Sequence, residues 1–169
     1  MKVTAQPRRL AEPSRQKRVT RVLIAHTDKL ILASYCEWLA SQGFAVTTAH
    51  TPTKCLSALR EALPDVLVLE AELSLGPVEA YLSLQANETD LARIPLIVLC
   101  NRPNPNACAS LAALFPLSER YQKALPPITL HERICHLLAI IRGENPPVIN
   151  AAVAAVNGSL APAVKVDGQ

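Results

Sequence analysis

Pro64-Asp65-Val66-Leu67-Val68-Leu69-Glu70-Ala71-Glu72 decides the fold of this chain. Val66 to Leu69 is an unbroken apolar run, the pattern of a strand buried on both faces. It stops abruptly at Glu70 and Glu72. In open parallel sheets, chemistry gathers just beyond the carboxyl ends of the central strands. An acid at that place is therefore a candidate site residue.

Outward from this stretch, strands and helices alternate. Val22-Leu23-Ile24-Ala25 reads as strand one, with His26-Thr27-Asp28 at its carboxyl end. Asp28 suits the N-cap of a helix over 29–42, stopped by Gly43. Leu30, Leu32, Ala33, Cys36, Leu39 and Ala40 supply its helical spacing, with Trp38 between them and partly exposed. Phe44 to Thr48 alternates as strand two. Thr51-Pro52 starts a second helix and Pro64 ends it. After strand three, 73–77 reads as loop and 78–85 as a helix. Pro95 to Cys100 is a second unbroken apolar run, strand four. A turn-rich loop follows, then a helix over 107–114 and a weak strand over 120–125. Pro126-Pro127 closes that strand, and an amphipathic helix over 130–141 ends at Gly143.

Five strand–helix pairs with buried strands imply an α/β fold with a parallel sheet covered on both faces. The most apolar strands, one, three and four, should be central. That is the flavodoxin-like doubly wound (βα)5 arrangement, strand order 2-1-3-4-5, with its site at the ends of strands one and three. The expected organisation is a disordered basic arm over 1–19, one domain over 20–142 and a disordered Ala/Pro/Val-rich tail over 143–169.

Composition narrows function further. Residues 1–21 carry seven Lys/Arg against one Glu, while the remainder holds ten basic and thirteen acidic residues. The leader is basic and the body mildly acidic. Five cysteines without a CxxC pair argue against a disulfide framework or a zinc site. They are expected to be small buried hydrophobes in a reducing cytoplasm. Nothing reads as a signal peptide or a membrane span.

With these residues in view, the chain from about Thr20 to Arg142 resembles the receiver domain of bacterial response regulators. The resemblance rests on Val22 to Ala25, on Pro64 to Leu69, on Pro95 to Leu99 and on Pro127 before the last helix. It implies a place for each functional residue of that family. The acidic pocket that holds Mg²⁺ corresponds to His26 and Thr27, with only the following Asp28 acidic. The phospho-acceptor corresponds to Glu70, one methylene longer than the usual Asp. The Ser/Thr switch corresponds to Cys100, and the Lys–Pro pair to Pro126 and Pro127, with Lys123 a substitute only if the register shifts. Glu72 is the fallback acceptor under such a slip.

A histidine and a threonine are poor ligands for Mg²⁺, which wants hard oxygens in octahedral array. Mg²⁺ binding is thus expected to be lost or weak, with no other cofactor. Glu70 has three readings: a permanent mimic of the phosphorylated state, an unusual acceptor, or a solvated strand-end acid. His26 is expected at the polar rim, where an ion pair with Glu70 would let it titrate near neutrality.

The expected function is a phosphorylation-independent, receiver-like signalling protein of a cytoplasmic two-component pathway. It is not an enzyme and docks on a protein partner, a histidine kinase or a downstream effector, or on a second copy as a homodimer. The docking face would include 107–114, 120–125 and the exposed side of 130–142. The alternatives are a working phospho-receiver that uses Glu70, or a nucleic-acid-associated regulator that binds through the basic arm. Against the latter stand the acidic body and the lack of an aromatic stacking set or helix-turn-helix. A flavin or phosphate enzyme on the same fold would want a glycine-rich loop after strand one, which is absent.

Overall fold

The computed structural model describes residues 18–74, 80, 93–100, 115 and 117–147. Five parallel strands form one sheet: β1 (Arg21–Ala25), β2 (Ala45–Ala49), β3 (Val66–Glu70), β4 (Leu96–Cys100) and β5 (Ser118–Gln122). Their spatial order is β2-β1-β3-β4-β5. The described helices are α1 (Lys29–Ser41), α2 (Pro52–Glu61), a single turn α3 (Ala71–Ser74) and α4 (Pro127–Arg142). This is the doubly wound architecture expected from the alternation of apolar runs. The reason is visible in burial: every residue of β3 and β4 is buried, whereas edge strand β2 is mostly exposed. A strand covered on both faces needs no polar alternation.

Two hydrophobic clusters lie on opposite faces of the sheet. One gathers Leu23, Leu67, Leu69, Leu96 and Val98 against α2 residues Cys55 and Leu59. The other gathers Ile24, Val68, Ile97 and Leu99 against Leu32 and Leu39 of α1 and Ile134 and Leu137 of α4. Alternate residues of each strand feed opposite clusters, as the two-residue side-chain period requires. Each fully buried Leu, Ile or Val side chain contributes about 1.5–3 kcal/mol.

Helix α1 differs in detail from its sequence reading. Its buried face is Leu32, Tyr35 and Leu39, while Leu30 and Ala33 are exposed. The apolar residues ring this helix, so spacing did not single out one stripe. Trp38 is partly exposed, as expected. Residues 71–74 form a helical turn rather than entering a loop directly. Strand β5 begins and ends earlier than the 120–125 reading, because Lys123 and Ala124 already turn the chain; Ala124 has a left-handed φ of 72°. Gly43 and Gly143 end α1 and α4 with φ of 85° and 66°, which glycine adopts without a Cβ clash.

Cys55 and Cys100 are buried, while Cys36 and Cys135 are only partly so. Residues 1–17 of the arm expected over 1–19, all but residue 80 of the helix expected over 78–85, the helix expected over 107–114, Cys108 and residues 148–169 of the expected tail lie outside the described residues. No described helix is long and apolar enough to cross a membrane.

Candidate functional site at the carboxyl edge of the sheet

Parallel pairing brings the ends of β1, β3 and β4 to one edge. Ala25 lies opposite Leu69, and Glu70 opposite Leu99. The backbone N–H of His26 donates to the Ala49 carbonyl at 2.9 Å, which extends the β1–β2 ladder by one residue and pins the loop after β1. The Lys123 N–H donates to the Cys100 carbonyl at 2.7 Å and likewise extends β4–β5. These two backbone bonds set both sides of the Glu70 site.

Glu70 is completely buried, so it is not the solvated strand-end acid among its sequence readings. Its carboxylate is fully engaged. The Thr27 N–H donates to Oε2, and the Thr27 hydroxyl donates to Oε1 at 3.0 Å. Lys123 Nζ forms an ion pair with Oε1. Burial pushes the Glu70 carboxyl up, but the Lys123 ammonium and the two Thr27 bonds together outweigh it. The net position is below the ordinary carboxylate value, so Glu70 is an anion.

The cation beside Glu70 is therefore Lys123, not a residue at position 126. Pro126 is the N-cap of α4 and Pro127 its first helical residue, where a missing N–H costs nothing. No cis peptide bond occurs among the described residues, so the bond between the two prolines is trans. The expected position of the cation, 126, lies three residues too late because the two prolines belong to the start of α4. With β5 ending at Gln122, Lys123 is the first residue beyond the strand. Glu72 does not share the site: it is exposed on α3, because the strand ends at Glu70 and the strand period ends with it.

His26 is fully buried rather than at the rim. Its Nδ1 accepts the Asp28 N–H at 2.9 Å. Nδ1 then carries a lone pair and the ring is neutral, with its proton on Nε2. The 3.6 Å approach of Nδ1 to Glu70 Oε2 is thus no ion pair in this tautomer. Burial lowers the His26 pKa, against the opposing pull of the Glu70 charge. Nε2 is buried without a hydrogen-bond partner among the described residues.

Asp28 turns away from this cluster. Its carboxylate Oδ1 accepts the N–H groups of Leu30 and Ile31 at 2.8 and 3.3 Å, capping α1. Those two bonds hold its pKa below the ordinary range. Cys100 is buried at the end of β4. Tyr35, unremarked in the sequence, buries its hydroxyl and donates to the Leu125 carbonyl at 2.7 Å. That bond anchors the segment carrying Lys123 to α1. Its burial raises the phenol to about 12. A lone tyrosine within an apolar helix carries no sequence signal for such a bond.

No protein-family model and no curated protein sequence matches the chain. Solved structures do. A receiver domain protein (CheY-like) from Methanospirillum hungatei superposes with a TM-score of 0.63 at 19% identity, over 75% of this chain and 99% of its own. The receiver domain of an HD domain-containing protein from Pseudomonas fluorescens gives 0.62 at 18% identity, over 75% and 100%. The chemotaxis response regulator CheY4 of Vibrio cholerae gives 0.60 at 17% identity, over 70% and 98%. The fold of this chain is that of response-regulator receiver domains.

Proposed function

We propose that this chain is a receiver-like signalling protein of a cytoplasmic two-component pathway, that it docks on a protein partner in one fixed conformation, and that it has no phosphorylation switch. One observation carries the reading. The carboxylate in the phospho-acceptor position is buried with both oxygens committed to Thr27 and Lys123. Acyl-phosphate formation needs a carboxylate oxygen free to attack in line, and displacement of the reacting atom by an ångström costs orders of magnitude in rate.

The residues do not fit Mg²⁺. Asp28 is spent on capping α1, Thr27 donates to Glu70, and His26 presents nitrogen. Glu70 instead acts as a built-in substitute for the phosphorylated side chain. It places one negative charge against Lys123, where a phospho-acyl group would place about two. The domain is then held permanently in a partner-binding state, and its output is the partner's. Exposed Ile128 and Ile140 on α4 provide apolar surface for that contact.

The test is a titration of the full chain with Mg²⁺ and then beryllofluoride, followed by amide chemical shifts. The expected result is no specific shift at His26 to Asp28, Glu70 or Cys100. Saturable shifts at those amides would overturn the reading in favour of a working phospho-receiver.

A further inference from the structure

At the opposite, amino end of the sheet lies an open cleft of about 640 Å³ that the Glu70 site does not involve. Arg18, Arg21, Arg93 and Arg142 line it, and Asp65 is the one carboxylate among its lining residues. Asp65 is already spent on two of them. Its Oδ1 pairs with Arg18 Nη2 at 2.9 Å, and its Oδ2 lies 3.7 Å from Arg21 Nε while accepting the Arg21 N–H at 2.7 Å. Arg93 and Arg142 have no carboxylate partner among the described residues; Arg142 makes only a 3.4 Å bond to the Thr20 hydroxyl. Arg21 Nε is buried and has no hydrogen-bond partner among the described residues.

Like charges brought together in this way repel, and a bound anion removes the repulsion. Guanidinium forks match phosphate oxygens in pairs. Apart from Thr20, the rest of the wall is apolar, formed by Leu63, Pro64, Ile94, Leu138 and Ile141. Ligand pockets of about 300–1,000 Å³ typically join such a wall to a few polar anchors. The four arginines come from the approach to β1 and its first residue, the approach to β4 and the end of α4, so only the folded sheet assembles them.

We propose that this cleft binds a nucleoside polyphosphate, its phosphates on Arg93 and Arg142 and its base and sugar on the wall made by Ile94, Leu138 and Ile141. The site is independent of Glu70 and of any phosphoryl transfer.

The full chain, isotope-labelled, is titrated with ADP and followed by amide shifts. Saturable shifts confined to residues 20–21, 63–65, 93–94 and 138–142 are expected. The double variant Arg93→Gln/Arg142→Gln should weaken binding about 100-fold, at about tenfold for each lost charged contact. Arg142→Lys keeps the charge and loses the fork, and should fall between. Fold retention in these variants is read from unchanged shifts in β3 and β4.

Adenosine binding as well as ADP would overturn the phosphate assignment. Pyrophosphate binding as well as ADP would overturn the nucleoside assignment. Absence of saturable shifts at about 10 mM ADP, below useful cellular affinity, would overturn the site. Tighter binding of a single-stranded DNA oligonucleotide than of ADP would make the cleft part of a polynucleotide surface and overturn the small-ligand proposal.

Discussion

Lys123 and Glu70, far apart in the chain, form an ion pair at the carboxyl edge of the sheet, with Glu70 fully buried and Lys123 largely so. A buried pair of this kind contributes little relative to an apolar pair of the same shape, yet removal of one partner is costly. Lys123→Ala should therefore destabilise the fold by about 3 kcal/mol. The double variant Glu70→Gln/Lys123→Ala should lose clearly less than the two single losses summed. Urea denaturation of the four proteins measures this coupling. Strict additivity would show that the pair does not hold the edge together.

Stability should fall in two steps as pH drops. His26 has a folded pKa below its ordinary 6.5, lowered by burial against the pull of Glu70. The unfolded chain then takes up a proton that the native ring refuses, so stability is complete above that value and declines below it. Glu70 acts in the same direction at lower pH. Its folded pKa is below 4.5, so stability present above that value is lost as pH falls towards the folded pKa. His26→Gln should flatten the first step. It should not abolish it, since His50 is also lowered, by desolvation and by Lys54 and Lys29. Thermal melts between pH 7 and pH 4 decide the matter, and an unchanged first step in the variant would contradict a neutral buried His26.

Asp28 is a helix cap, so its substitutions should follow capping chemistry. Asp28→Ala should cost about 1 kcal/mol, and Asp28→Asn only a few tenths, because Asn caps nearly as well. A ligand of Mg²⁺ would respond differently. Denaturation with and without millimolar Mg²⁺ separates the two, since metal-dependent stabilisation lost in Asp28→Asn would assign the carboxylate to a cation.

Tyr35→Phe leaves the Leu125 carbonyl buried without a donor. The expected loss is about 1–3 kcal/mol. The same change should loosen the segment that presents Lys123, seen as faster amide exchange at 121–125. Unaltered exchange there would mean that Tyr35 packs but does not position Lys123.

The architecture was legible because its cause is local. Val66 to Leu69 and Leu96 to Leu99 are apolar without interruption, which only a strand covered on both faces accommodates, and this placed them at the centre of a parallel sheet. Glu70 at a strand end, Asp28 as a cap and the glycine stops at 43 and 143 were readable for the same reason: each depends on neighbours within a turn of chain. The strand-five boundary and the true partner of Glu70 were not. Lys123 reaches Glu70 only because β4 lies between β3 and β5 in one register, and no nearby residue records that distance. The same holds for the buried neutral state of His26 and for the arginine cleft at the other end of the sheet. Hydrophobic period is a property of a segment, so the sequence by itself determined which segments are buried and in what class of fold. Charge state and ion pairing depend on solvent exclusion and on groups brought from distant segments, so only the tertiary structure decided what Glu70 is.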